Sequence, residues 1–185
     1  MANNELDVFF RDGFGRLCAA VASDIKRHIA TLRESGVVFY GYAAFPPDYY
    51  TAYDPTSLVV AFNCESDIDA ENKNAPYSYY RYSVDEWQNY VHDGFDATNA
   101  ELKALLSEFK RLTETQDSDD APETFVASIN QTILDALISL RKDGTFDGIS
   151  YVVIWLSDSG DEIMNRSAKE LNTADVYAAY ATEFT

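Results

Sequence analysis

The chain has 185 residues, 31 acidic against 14 basic, and a formal net charge of −17. Such an acidic balance argues against direct binding to nucleic acid or to an anionic membrane, because both need clustered Lys and Arg. An apolar share of 46% is too high for a disordered chain. We therefore expect one globular domain over residues 1–185.

The first half of the chain predicts a helix followed by strands. Apolar residues recur every three or four positions over residues 6–32, which indicates an amphipathic helix that Gly13 and Gly15 weaken and favour splitting. Residues 37–45 and 57–63 are rich in aromatic and β-branched residues and predict two strands. Residues 77–82 predict a third strand, and Ser83 opens a capping-box pattern that predicts a helix carrying Trp87.

The second half predicts helices around one further strand. Single apolar stripes indicate helices over residues 100–112 and 125–140. Residues 149–156 are apolar on both alternating faces, which favours a place in the middle of the sheet. Two more helices follow, with a break and cap at Asn172. Three of the predicted strands lie in the first half of the chain and one follows two helices in the second half. This order predicts an α+β fold: a largely antiparallel sheet of about four strands flanked by helices.

Several functional classes lack a sequence signal. The N-terminus has no charged and apolar leader, and no apolar run approaches the ~20 residues of a membrane span, so we expect a soluble cytoplasmic protein. Cys18 and Cys64 have neither metal-site nor redox spacing and are interpreted as buried, reduced thiols. His28 and His92 stand alone and are interpreted as structural. No nucleophile elbow, phosphate loop or dinucleotide motif is present, so we predict no catalytic residues and no cofactor.

The charge and the tyrosines favour protein binding. Residues 1–36 hold five acids and five bases, so the whole acidic excess belongs to residues 37–185. Such a surface attracts a basic partner and speeds its association, although for the charge taken alone a merely well-solvated surface is the favoured interpretation. Tyrosine suits interfaces because a rigid apolar ring carries a polar tip. The predicted partner-binding residues are an aromatic patch and a set of steering charges: Tyr49, Tyr50, Tyr53 and Asp54, with Asp117, Asp119 and Asp120.

One loop suggests an alternative chemistry. Asp158, Asp161 and Glu162 follow the predicted strand at residues 149–156, where ligands commonly gather, and their carboxylates could bind a divalent cation. Helix capping and the preference of acids for a first turn explain the same residues. The prediction is therefore a helix cap at Ser159 or Asp158, with a metal-dependent enzyme as the less favoured alternative.

Several segments resemble the bacterial family catalogued as domain of unknown function 4303. The resemblance is carried by residues 79–87 (YYRYSVDEW), 153–159 (VIWLSDS) and 164–172 (MNRSAKELN), with Val176 and Tyr177. It implies a small cytoplasmic protein without an assigned activity, similar in size, acidity and mixed α/β character to bacterial immunity proteins. The family supplies no catalytic residues to carry over.

The sequence thus favours a non-enzymatic, acidic protein-binding module. The specific hypothesis is an immunity protein that neutralises a cognate bacterial toxin. A housekeeping interaction domain is the main alternative, and only the identity of the partner distinguishes the two.

Overall fold

The computed structural model describes residues 5–47, 56–69, 77–114, 119–157 and 159–184. Within these ranges the chain forms helices and strands in a mixed order. The helices are α1 (Glu5–Asp12), α2 (Gly15–Glu34), α3 (Tyr77–Tyr82), α4 (Asp96–Thr113), α5 (Ala121–Lys142), α6 (Glu162–Leu171) and α7 (Ala174–Phe184). The strands are β1 (Gly41–Phe45), β2 (Val59–Asn63), β3 (Asn89–Val91) and β4 (Tyr151–Ile154), and two 3-10 helices cover Glu65–Asp67 and Val84–Glu86.

The four strands form one sheet in the order β3-β2-β1-β4. β1 pairs antiparallel with β2, β2 pairs antiparallel with β3, and β1 pairs parallel with β4. The predicted α+β class, with a largely antiparallel sheet of four strands flanked by helices, is confirmed.

Helices cover both faces of the sheet. On the first face Tyr42, Val60 and Val152 join the apolar core formed with α1, α2, α4 and α5. Their neighbours alternate to the second face, because successive strand residues point to opposite sides. There Ala43, Ala61, Tyr151 and Val153 pack with aromatic residues of the 3-10 segment, α3 and α7.

The predicted N-terminal helix is split, as the glycine pair indicates, into α1 and α2.

The second of these helices, α2, supports α4 through a buried carboxylate. Asp24 is fully buried and accepts hydrogen bonds from the main-chain N–H and the hydroxyl of Thr98, both at 2.9 Å. Arg27 donates to the same carboxylate at 2.8 Å. Because Thr98 lies in the first turn of α4, this carboxylate satisfies a helix N–H that has no partner within the helix.

Two local predictions around residues 77–90 are wrong. Residues 77–82 form the helix α3 rather than a strand. The expected helix at Ser83 is a single 3-10 turn that leads into β3, and the Ser83 side chain makes no capping hydrogen bond. The physical reason is packing against α7, where the ring of Tyr79 stacks on Phe184 with centroids 6.2 Å apart. Aromatic residues favour strands only weakly, and tertiary contacts override that preference.

The prediction that residues 149–156 form the middle strand of the sheet is also wrong. β4 lies at one edge of the sheet, although all four of its residues are buried. Its outer edge is closed by side chains of the α6 segment. Asn172 accepts from the Val152 N–H (2.8 Å) and donates to the Val152 carbonyl (2.7 Å), and the Ser167 hydroxyl accepts from the Ile154 N–H (2.9 Å). Because α6 covers the edge and its side chains satisfy the main chain of β4, this edge strand has the same continuous apolar sequence as a central strand.

Candidate partner-binding surface

A compact group of tyrosines and acids lies on the second face of the sheet, beside β3. We call Tyr79, Asp85, Glu86 and Tyr90 the tyrosine–acid surface. Tyr79 and Tyr90 expose 36% and 38% of their area, which makes them two of the most exposed large apolar side chains among the described residues. Asp85 and Glu86 are also exposed. Short elements bring the four together: α3 supplies the first, the 3-10 turn the two acids, and β3 the last.

Hydrogen bonds fix the two rings in place. The Tyr90 hydroxyl donates to the carbonyl of Val84 at 2.8 Å, which ties β3 to the 3-10 turn. The Tyr79 hydroxyl donates to Oε1 of Glu86 at 3.3 Å. Tyr90 also contacts Phe45, with ring centroids 5.6 Å apart. Both rings are therefore oriented before any partner arrives, which lowers the entropic cost of binding.

The two acids of this surface have no cationic partner among the described residues. Asp85 accepts a hydrogen bond from the Ser157 hydroxyl at 2.6 Å, and this bond connects the 3-10 turn to the chain that follows β4. In the described ranges, no Lys or Arg forms an ion pair with Asp85 or Glu86. Burial raises the pKa of Tyr90, and the negative charges of the two acids raise this pKa further.

A packed aromatic layer supports the surface from below. The indole of Trp87 lies against Gly41 so closely that a Cβ built there would stand 2.6 Å from the ring, so the close approach requires glycine. Trp87 meets Tyr40 and Tyr151 edge-on, with centroids 6.2 and 6.0 Å apart. The Arg81 guanidinium lies 4.0 Å from the centroid of the Tyr40 ring and pairs with Glu65 at 2.5 Å. The surface thus stands on a rigid base.

The structure describes only two residues of the predicted partner-binding set. Tyr49, Tyr50, Tyr53, Asp54 and Asp117 lie outside the described residues. Their aromatic segment follows Phe45 closely along the chain, and Phe45 contacts Tyr90.

The two remaining predicted residues lie elsewhere. Asp119 and Asp120 are exposed and directly precede α5. Since α5 packs on the first face of the sheet and the tyrosine–acid surface lies on the second, the structure does not bring these two acids to that surface.

A cap forms at the start of α6, but the capping residue is Asp161, whereas Ser159 or Asp158 was predicted. The Ser159 hydroxyl instead accepts the N–H of Asp161 at 3.1 Å, which places it before the cap. Asp161 accepts the N–H of Ile163 at 2.9 Å, and Glu162 stands in the first turn of the helix. Both residues line a cleft of about 1030 Å³ between the first-face helices and α6. Asp158 lies outside the described residues, and within the described ranges no three His, Cys, Asp or Glu side chains are grouped to hold a metal ion.

The histidine and the cysteines occupy structural positions. Nδ1 of His28 lies 2.9 Å from the buried hydroxyl of Tyr42, and burial lowers the pKa of the imidazole. Cys18 and Cys64 are free thiols, half-buried rather than fully buried as predicted. Burial and the nearby carboxylate of Asp67 raise the pKa of Cys64 to about 11, which keeps the thiol protonated at neutral pH.

None of the four residues of the tyrosine–acid surface is in the predicted partner-binding set: Tyr79 and Tyr90 were left out of it, as were Asp85 and Glu86. The capping-box pattern of residues 83–86 assigned the two acids to a helix start, where acids are expected for structural reasons. One sequence feature could have pointed to a binding surface here. Residues 83–93 contain three acids and no Lys or Arg, and Tyr90 lies among them.

The model of one protein family, described as domain of unknown function (DUF4303), matches residues 17–173. The chain belongs to this family. The match begins in α2 and ends just before α7, so it includes the whole sheet and the tyrosine–acid surface of this DUF4303 protein. No curated protein and no solved structure matches the chain. None of the helices within the described ranges has the length and apolar character needed to cross a bilayer.

Proposed function

We propose that this protein is a non-enzymatic binding module whose tyrosine–acid surface binds a basic protein partner. The observation that carries the proposal is the pairing of two ordered, part-exposed tyrosines with two exposed acids that no described cation neutralises. Tyrosine rings supply apolar contact area at the centre of an interface. The surrounding carboxylates attract and orient a partner of opposite charge.

The narrower form of the proposal is a cytoplasmic immunity protein that neutralises a cognate bacterial toxin. The net charge of −17 supports it, because a strong field accelerates the capture of a basic protein. A housekeeping interaction domain would use the same surface, so the partner's identity separates these two versions.

The metal-dependent alternative gains no support from the described residues. The Asp161 carboxylate is engaged in capping α6. Calorimetry with Mg²⁺, Mn²⁺ and Ca²⁺ tests this alternative directly. Binding tighter than millimolar that Asp158→Ala abolishes would revive it.

The test of the proposal is co-expression with the product of the neighbouring gene, followed by measurement of association rates at several NaCl concentrations. The variant Asp85→Asn/Glu86→Gln removes both charges from the surface while keeping the side-chain shapes. The matched control is Asp119→Asn/Asp120→Asn, which removes the same charge from the first-face side.

We expect the surface variant to lower the association rate by about three- to tenfold at low salt and to flatten its salt dependence. The control variant should change the rate by less than about twofold. Equal effects of the two variants would contradict this placement of the interface, and the absence of any stable complex would contradict the proposal itself.

A further inference from the structure

The register of the sheet determines which main-chain groups of β3 point away from it. The N–H groups of Tyr151 and Trp155 donate to the carbonyls of Tyr40 and Ala44, both at 2.9 Å, so the odd-numbered residues of β4 bond to the even-numbered residues of β1. The odd-numbered residues of β1 must then bond to β2, because bonding directions alternate along a strand.

The same alternation continues to the far edge. The register pairs the odd-numbered residues of β1 with Val59, Ala61 and Asn63 of β2, so these three form the main-chain hydrogen bonds to β1. Val60 and Phe62 are then left to form the main-chain hydrogen bonds to β3. Their partners in β3 are Val91 and Asn89. The N–H and the carbonyl of Tyr90 therefore point outward, away from the sheet.

These outward groups of Tyr90 have no partner in the described part of the chain. Its only hydrogen bond outside the sheet is the one from its side-chain hydroxyl to Val84. The corresponding outward groups at the opposite edge, on Val152 and Ile154, are satisfied by Asn172 and Ser167. Within the described residues the sheet thus has one closed edge and one edge able to accept a strand.

The charge around the β3 edge indicates what kind of strand would bind there. Asp85, Glu86 and Asp93 flank β3, and residues 83–93 contain no Lys or Arg. A second copy of this chain would bring the same acids into close contact with themselves, which like-charge repulsion disfavours. An extended segment bearing Lys or Arg would instead place its side chains beside these carboxylates.

We infer that β3 binds an extended, basic segment of the partner by strand addition, with the N–H and carbonyl of Tyr90 forming the central hydrogen bonds. This inference rests on the proposed function and specifies how the partner is recognised. Alternate residues of the added strand would face the tyrosine–acid surface, since side chains alternate between the two faces of a sheet.

The test uses the full-length protein and an end-capped peptide of ten alternating Lys and Val residues, followed by NMR titration. The key comparison is Tyr90→Pro against Tyr90→Ala. Both variants lose the ring, but only proline removes the outward N–H, and an edge strand tolerates proline where its N–H faces solvent. A second probe is the same peptide N-methylated at every second residue, in both registers, bound to the unaltered protein.

We expect the peptide to bind Tyr90→Pro about three- to tenfold more weakly than Tyr90→Ala, the effect of one hydrogen bond. One of the N-methylated peptides should lose binding by a similar factor, which keeps the test decisive even if Tyr90→Pro fails to fold. In the complex the Tyr90 amide of the unaltered protein should become protected from hydrogen exchange.

Three results would overturn the inference. The first is equal binding to the proline and alanine variants together with equal binding of the methylated peptides, which would show that charge alone holds the peptide. The second is no detectable peptide binding up to millimolar concentration. The third is self-association that Tyr90→Pro abolishes, which would identify a second copy as the occupant. The first two leave the proposed function standing, because the Asp85→Asn/Glu86→Gln experiment tests it independently.

Discussion

The two edges of the sheet differ in how their main-chain groups are satisfied. At β4, Asn172 and Ser167 occupy the positions where a further strand would pair, and α6 packs alongside. At β3 the strand is only three residues long, its residues are half-buried or exposed, and acids flank it. One edge is closed by specific hydrogen bonds, whereas no described residue pairs with the other, which its short length and its charge protect.

This difference separates a structural region from a binding region. Closing β4 with polar side chains fixes the sheet without adding another strand, and it makes those side chains essential to stability. Leaving β3 open costs little because water can satisfy an exposed N–H and carbonyl.

Removing the main closing side chain should be the most damaging change. Asn172→Ala leaves the N–H and the carbonyl of Val152 without partners, so we expect a loss of about 2–4 kcal/mol in the free energy of unfolding. The matched change at the open edge, Asn89→Ala, removes one part-buried bond to Asp67 and should cost about 1 kcal/mol or less. Urea unfolding of both variants measures the difference, and equal losses would contradict the distinction between the edges.

Crowding the layer beneath the tyrosine–acid surface should come next. Gly41→Ala places a Cβ 2.6 Å from the Trp87 ring, and we expect a loss of about 1–3 kcal/mol from overpacking. Gly15→Ala is the control, because a Cβ there meets nothing within 4 Å. Thermal unfolding should show a lower Tm for the first variant and an unchanged or slightly higher Tm for the second. If Gly41→Ala were neutral, the base of the surface would be less rigid than described.

The second closing side chain should contribute less than the first. Ser167→Ala leaves the N–H of Ile154 without an acceptor, with an expected cost of about 1–2 kcal/mol. Hydrogen exchange should accelerate at the Ile154 amide in this variant while the Tyr90 amide exchanges as before. A change of similar size at both amides would indicate global destabilisation rather than opening of one edge.

The smallest effect is confined to alkaline pH. Burial, helped by the nearby Tyr177, raises the pKa of Tyr180 to about 12 from its ordinary value near 10. The unfolded chain therefore releases this proton at lower pH than the native chain, so stability is full below pH 10 and falls as pH rises towards 12. Tyr180→Phe should reduce the slope of stability against pH in that window and leave the slope unchanged between pH 7 and 9. An unchanged alkaline slope would contradict the shift.

The helices with clear apolar stripes could be predicted from the sequence. The spacing of Leu102, Leu105, Phe109 and Leu112 indicated α4, and all four side chains are buried. The break in the N-terminal helix followed from Gly13 and Gly15, and the presence of a cap before α6 followed from its short polar residues, since both depend on local backbone chemistry. The capping residue itself, Asp161, was not the predicted one.

The features that depend on distant contacts could not be predicted. Tyr79 lies in a helix because α7 offers Phe184 for stacking, and no local pattern reveals that neighbour. The apolar run of β4 indicated a covered strand correctly, but a strand covered by α6 and one flanked by two strands look alike in sequence. Asn172 was identified only as a helix break, although its side chain also closes the β4 edge.

The most direct test of the difference between the edges is amide hydrogen exchange of the unliganded protein, read residue by residue. We predict rapid exchange at Tyr90, whose N–H points away from the sheet, and slow exchange at its neighbours Asn89 and Val91, which pair with β2. At the other edge, Val152 and Ile154 should be strongly protected by Asn172 and Ser167. Protection of Tyr90 equal to that of Val152 would show that β3 is already covered and would contradict the account.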